Sequence, residues 1–166
     1  MAISCSPKKE ATVAKKPERV KEKVYKKTLF INTEYKINNL TLKEDVQLLT
    51  SDDLSLYNTF FEEGLQYSLK EKGFELVKTS AESNYQIEIT NFSLKEFKLQ
   101  VDGPSVNVAH SEISYNFVTP TNKTILVDAI SKESIEPFEG FVFQDLVNEL
   151  SIKLANKIEG KVKWEF

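Results

Sequence analysis

The sequence predicts a two-layer α+β sandwich: a mostly antiparallel sheet with two helices on one face, in the order β-α-β-β-β-β-α-β. Three observations carry this. Two segments repeat apolar residues at helical spacing between cap signals, and three central segments alternate at period two around turn chemistry. The third is length: 166 residues make one domain, and a chain of about 150 residues buries roughly 70% of its unfolded surface, so it needs no covalent staples. Two helices with one apolar stripe each, beside a sheet with one apolar face, are best buried against each other.

Residues 6–24 hold Pro7, Pro17, mixed charge and few large apolar side chains, which is a linker composition. The domain division is therefore a flexible basic tether over residues 1–24 and a single α+β domain over 25–166. Lys27 to Asn32 reads as a first strand continuing towards Ile37, and Leu40 to Leu49 has no clear period. The first helix starts at Thr50 or Ser51, with Asp52 and Asp53 at the positive end of its dipole. Its stripe is Leu54, Tyr57, Phe61, Leu65 and Leu69; Gly73 stops it, and Phe74 folds back on Leu69 in a Schellman-type cap. Phe74 to Val77 enters the sheet.

Tyr85, Ile87 and Ile89 alternate, then the phase slips to Phe92/Leu94 and again to Phe97/Leu99/Val101, which predicts a bulge or bend. Asp102-Gly103-Pro104-Ser105 turns the chain into Val106/Val108 and Ile113/Tyr115/Phe117. Pro120 to Lys123 turns it back into Ile125/Val127/Ala129, completing a meander. A second helix covers about 141–158 on a stripe of Phe143, Leu146, Leu150, Leu154 and Ile158, with Gly160 as its stop. Lys161 to Phe166 alternates and reads as a final strand. Val162, Trp164 and Phe166 make that strand the candidate edge for strand addition by a partner.

Composition narrows the chemistry. Cys5 is the only cysteine and His110 the only histidine, so an internal disulfide and His-pair or Cys-cluster metal sites are excluded. His110 lies two residues from Glu112, on the same strand face, and Ser111 is the nearest hydroxyl in sequence; no nucleophile stands at a recognisable spacing and no glycine-rich phosphate loop exists. We expect no catalytic residues, no metal and no cofactor. Glu62/Glu63 and Glu133/Glu136 read as solvated faces, and Phe60, Phe61, Phe138, Phe141 and Phe143 as core or as the lining of an acyl-chain groove. No run of about 18 apolar residues is present.

Charge is uneven. Residues 6–28 carry nine basic and three acidic groups, a net of +6, while the whole chain is −3 and the remainder therefore −9. An acidic body argues against nucleic acid as a partner; a basic arm suits an anionic membrane, at up to about 1 kcal/mol per residue. Cys5 stands at the head of this arm, behind Ala2-Ile3-Ser4. A lone cysteine after small and aliphatic residues resembles the processing site of a bacterial lipoprotein, with Cys5 the lipid-attachment residue and the sequence beginning just ahead of the mature cysteine. Ala2 stands where that pattern has leucine.

Over about residues 27–158 the chain resembles small bacterial periplasmic lipoproteins, namely the auxiliary lipoprotein of ABC-type lipid-transport systems and the lipopolysaccharide-assembly lipoprotein. The resemblance rests on a strand and a helix ending Leu69-Lys70-Glu71-Lys72-Gly73-Phe74-Glu75-Leu76-Val77, then Asn84-Tyr85-Gln86-Ile87-Glu88-Ile89, a hairpin region and a closing amphipathic helix. It implies a non-catalytic protein held by its lipid at the outer membrane, facing the periplasm. Such a protein binds an envelope transport or assembly protein, or a lipid acyl chain. Two alternatives stand beside it: an envelope scaffold or adhesin lipoprotein, and a cytosolic protein in which Cys5 is incidental.

Overall fold

The computed structural model describes residues 24–35, 37–39, 50–100, 102–138 and 142–164. Its strands are β1 (Thr28–Asn32), β2 (Ile37–Asn39), β3 (Glu75–Leu76), β4 (Tyr85–Leu99), β5 (Val106–Val118) and β6 (Lys123–Ser134). Helix α1 (Ser51–Glu71) lies between β2 and β3, and α2 (Val142–Trp164) follows β6. The sheet order is β3-β1-β4-β5-β6, with β2 also on β4. The long β4-β5-β6 meander is antiparallel, whereas β1 and β2 both pair parallel with β4. The α+β class and the mostly antiparallel sheet hold as expected. The first strand does not run unbroken to Ile37; it divides into β1 and β2, and both lie along the same long neighbour.

Helix α1 begins as its sequence dictates. Thr50 accepts from the Asp53 backbone N–H at 3.2 Å while the Asp53 carboxylate accepts from the Thr50 N–H at 3.0 Å, a capping box. The Thr50 N–H, and the Thr50 hydroxyl donating to the same carboxylate at 2.8 Å, hold the Asp53 carboxyl below its usual range. At the other end Gly73 adopts φ +85°, open to glycine without a Cβ penalty. Its N–H reaches the Lys70 carbonyl at 3.0 Å and the Phe74 N–H reaches Leu69 at 3.1 Å, the paired bonds of a Schellman cap. Tyr57, Phe61, Leu65 and Leu69 are all buried.

The core lies between the helix layer and one sheet face, built from Leu29, Ile87, Phe92, Ile113, Tyr115 and Phe117 below and Phe61, Leu65, Leu146, Leu150 and Leu154 above. The expected bulge falls between Ile89 and Asn91, where the β4–β5 register shifts, and the Thr90 hydroxyl is fastened to the Ser114 carbonyl at 3.0 Å. Beyond it the register runs unbroken to Leu99, so the second phase slip is no bulge. Phe97 and Leu99 lie on the outer face, turned away from α1 and α2.

The helices run parallel. Tyr57 meets Phe143 at their starts, with ring centroids 6.0 Å apart, and Lys72 pairs with Glu159 near their ends at 3.2 Å. Midway, Gly64 lies so close to α2 that a methyl group on it would stand 2.6 Å from Ser151 Oγ. Glycine is needed here for close approach rather than for its φ.

Two expectations at the C-terminal end are corrected. Residues 161–164 are the last turn of α2, not a strand, and Gly160 lies inside the helix instead of ending it. Leu154, Ile158 and Val162 are each fully buried at four-residue spacing. Burial of Val162 on that stripe outweighs the roughly 1 kcal/mol by which glycine disfavours a helix interior.

Candidate functional site

The sequence-predicted site residues fall into three groups. Cys5, the basic arm up to residue 23 and Phe166 lie outside the described residues, as does Phe141, whereas Lys26 and Lys27 stand at the start of the folded domain. The edge proposed at Val162, Trp164 and Phe166 does not form: Val162 is helical and buried, and Trp164 is helical too. Among the described residues the long edge of the sheet is β6, the last strand in the sheet order. The sequence hid this because Lys161 to Phe166 satisfies period two and, through Val162, the helical stripe at once.

His110 and Glu112 do share a face of β5, the outer one, with Nε2 and Oε2 3.6 Å apart. That is beyond a hydrogen bond. Ser111 turns the other way into the core, fully buried, and its hydroxyl has no partner among the described residues. The hydroxyl that does reach His110 was not legible in sequence: Ser131, directly across on β6, with its Oγ 2.6 Å from Nδ1. The three side chains stand on an open strand surface. A cavity of about 520 Å³ lies elsewhere, beside the β1–β3 pair, lined by polar groups including Lys26, Thr28, Glu75, Lys78 and Glu82. Its lysine and glutamate at positions 26 and 75 neutralise each other at 2.6 Å.

The four described candidates for a groove lining, Phe60, Phe61, Phe138 and Phe143, are engaged in packing. Phe61 stacks obliquely on Phe92 with centroids 4.7 Å apart, Phe143 lies on Tyr57, and Phe60 and Phe138 pack against the same cluster. Among the described residues no group of three or more His, Cys, Asp or Glu side chains is placed to hold a metal ion, and no helix is long and apolar enough to cross a membrane.

The outer face of the β4-β5-β6 meander is the one turned away from the helices. Cross-strand polar contacts organise it: Glu88 accepts from Asn116 Nδ2 at 3.3 Å and pairs with Lys123 at 3.3 Å. On β6 the alternation runs opposite to what Ile125, Val127 and Ala129 suggest. Leu126, Asp128 and Ile130 face the helices, leaving Ile125 and Val127 76% and 53% exposed. Asp128 is tolerated inside because the Tyr115 hydroxyl donates to it at 2.8 Å and Lys157 Nζ at 3.1 Å. Burial, together with that carboxylate, pushes the Tyr115 hydroxyl far above its ordinary pKa and keeps it a donor. A half-buried hydroxyl, Tyr35, donates to Glu62 at 3.0 Å and is shifted the same way, by burial first and by Glu62 second.

No family model matches the chain, and no curated protein matches it. Among solved structures, a minor lipoprotein from Acinetobacter baumannii aligns with a TM-score of 0.51 at 10% identity, over 82% of this chain and 94% of that one. A hypothetical protein from Chlamydia trachomatis aligns with a TM-score of 0.50 at 7% identity, over 83% of this chain and 98% of that one. At such identities the likeness is one of fold: both proteins share this α+β architecture across nearly their whole length.

Proposed function

We propose that this chain is a non-catalytic lipoprotein of the bacterial cell envelope, anchored through Cys5, which assists lipid transport or outer-membrane assembly by binding a protein partner on the outer sheet face. The observation that carries the reading is the single cysteine heading a Pro/Lys/Glu-rich arm that joins the domain at Val24. The fold shared with a protein named a minor lipoprotein supports it. A protein partner is favoured over an acyl chain because Phe60, Phe61, Phe138 and Phe143 lie in the core or pack against it, while Ile125 and Val127 stand exposed on the sheet.

One acyl chain anchors only marginally, at about 0.8 kcal/mol per buried CH₂, so firm attachment needs several chains or help from the basic arm. The test is fractionation of cells expressing the full gene. Cys5→Ala should release the protein from the membrane fraction. Ile125→Glu should leave it there but reproduce the detergent sensitivity of a gene deletion, while His110→Ala stays silent. A Cys5→Ala protein that remains membrane-bound, or a folded and anchored His110→Ala protein that behaves like the deletion, refutes the proposal.

A further inference from the structure

Among the described residues no strand pairs with the far side of β6. Within a strand the N–H and C=O of one residue point to the same side, so residues 125, 127 and 129 turn theirs either all towards β5 or all away from it. They turn away, because α2 reaches two of those carbonyls: Lys153 Nζ donates to Ala129 at 2.9 Å and Lys157 Nζ to Val127 at 3.2 Å. Lys157 also neutralises the buried Asp128 and is thereby fixed, whereas Lys153 is exposed and held by the one carbonyl contact.

A long sheet edge is a template for another strand. The strand that fits this one is β6 of a second copy. Paired antiparallel about Val127, the two edges set Val127 against Val127 and Ile125 against Ala129, covering both exposed apolar side chains. No like charges oppose each other in that register, where Lys123 meets Ser131 and Asp128 meets Leu126. The register requires the carbonyls of Val127 and Ala129, and those are the two that the lysines occupy.

We infer that Lys153 and Lys157 hold the β6 edge closed against antiparallel pairing with β6 of a second copy, so that the copy-to-copy interface is latent. The device is independent of the function proposed above; it would operate equally in an unanchored protein.

Sedimentation of the 166-residue chain over a wide concentration range, under reducing conditions so that Cys5 cannot link copies, tests this. Methionine keeps the aliphatic stem and removes the donor, so Lys153→Met is the first variant. The second combines Lys153→Met, Lys157→Met and Asp128→Asn, the last change removing a carboxylate that would otherwise be left buried without its cation. Each lysine removed should raise the self-association constant by about tenfold or more, the equivalent of a lost hydrogen bond to a charged group. Amide exchange should slow at residues 125–129 as the variants associate, and adding Val127→Lys should restore the monomer. The inference is overturned if the unaltered chain already dimerises with those amides protected, if Lys153→Met stays folded and monomeric at the highest concentration, or if association survives Val127→Lys. Should the triple variant fail to fold, Lys153→Met decides alone, since its side chain is exposed.

Discussion

Gly64 and Ser151 set how closely the two parallel helices approach, and the geometry predicts that one substitution changes sign with its background. A methyl group on Gly64 would lie 2.6 Å from Ser151 Oγ but 3.4 Å from Ser151 Cβ, so the obstacle is one oxygen atom. Overpacking of this kind costs about 1–3 kcal/mol, against a helix-propensity gain of about 1 kcal/mol for replacing glycine by alanine. Gly64→Ala should therefore destabilise the protein by about 1 kcal/mol. Ser151→Ala should be nearly neutral alone, because its hydroxyl donates only to the Asn148 carbonyl one turn back, at 2.7 Å. With that oxygen gone the methyl contact becomes ordinary, and Gly64→Ala should then stabilise by up to about 1 kcal/mol. The coupling is about 2 kcal/mol, well above the roughly 0.3–0.5 kcal/mol scatter of independent sites. Urea denaturation of the four proteins followed by circular dichroism resolves it, since 1 kcal/mol moves the midpoint by roughly 0.5 M at an m-value near 2 kcal/mol/M. Equal effects of Gly64→Ala in both backgrounds would refute the close crossing.

Gly160→Ala should stabilise by up to about 1 kcal/mol, because the residue is inside α2 with open space around it; a loss of stability in the same titration would restore a strand start at that point. Ser111→Ala should stabilise by about 1 kcal/mol by removing a buried, unpartnered hydroxyl, and a loss above 1 kcal/mol would show that the oxygen has a partner. Leu65→Ala and Leu150→Ala should each cost about 2–5 kcal/mol, and changes below about 0.5 kcal/mol at both would mean the helical faces are wrongly placed.

Local chemistry was legible wherever one signal acted alone. The Thr50/Asp53 box, the Gly73 cap and the bulge after Ile89 all follow from residue type and phase, and each appears where the pattern puts it. The misreadings come from segments that satisfy two patterns. Ile125, Val127 and Ala129 look like an inward-facing set, but cross-strand register places Leu126 and Ile130 inside, with Asp128 between them made tolerable by Tyr115 and Lys157, thirteen and twenty-nine residues away. Nothing within β6 announces those partners. Gly160 likewise reads as a helix stop until Val162 is seen to complete the stripe of Leu154 and Ile158. The site residues were harder still. Ser131 reaches His110 only through the β5–β6 register, and the lysines that cap β6 come from the opposite layer.

Lipid on Cys5 is read from the mass of its own peptide. Protein extracted from the membranes of cells expressing the complete gene should yield an N-terminal peptide that begins at Cys5 and carries glyceride-linked and amide-linked acyl chains. Recovery of Cys5 as a bare thiol still preceded by Met1-Ala2-Ile3-Ser4 would contradict the account.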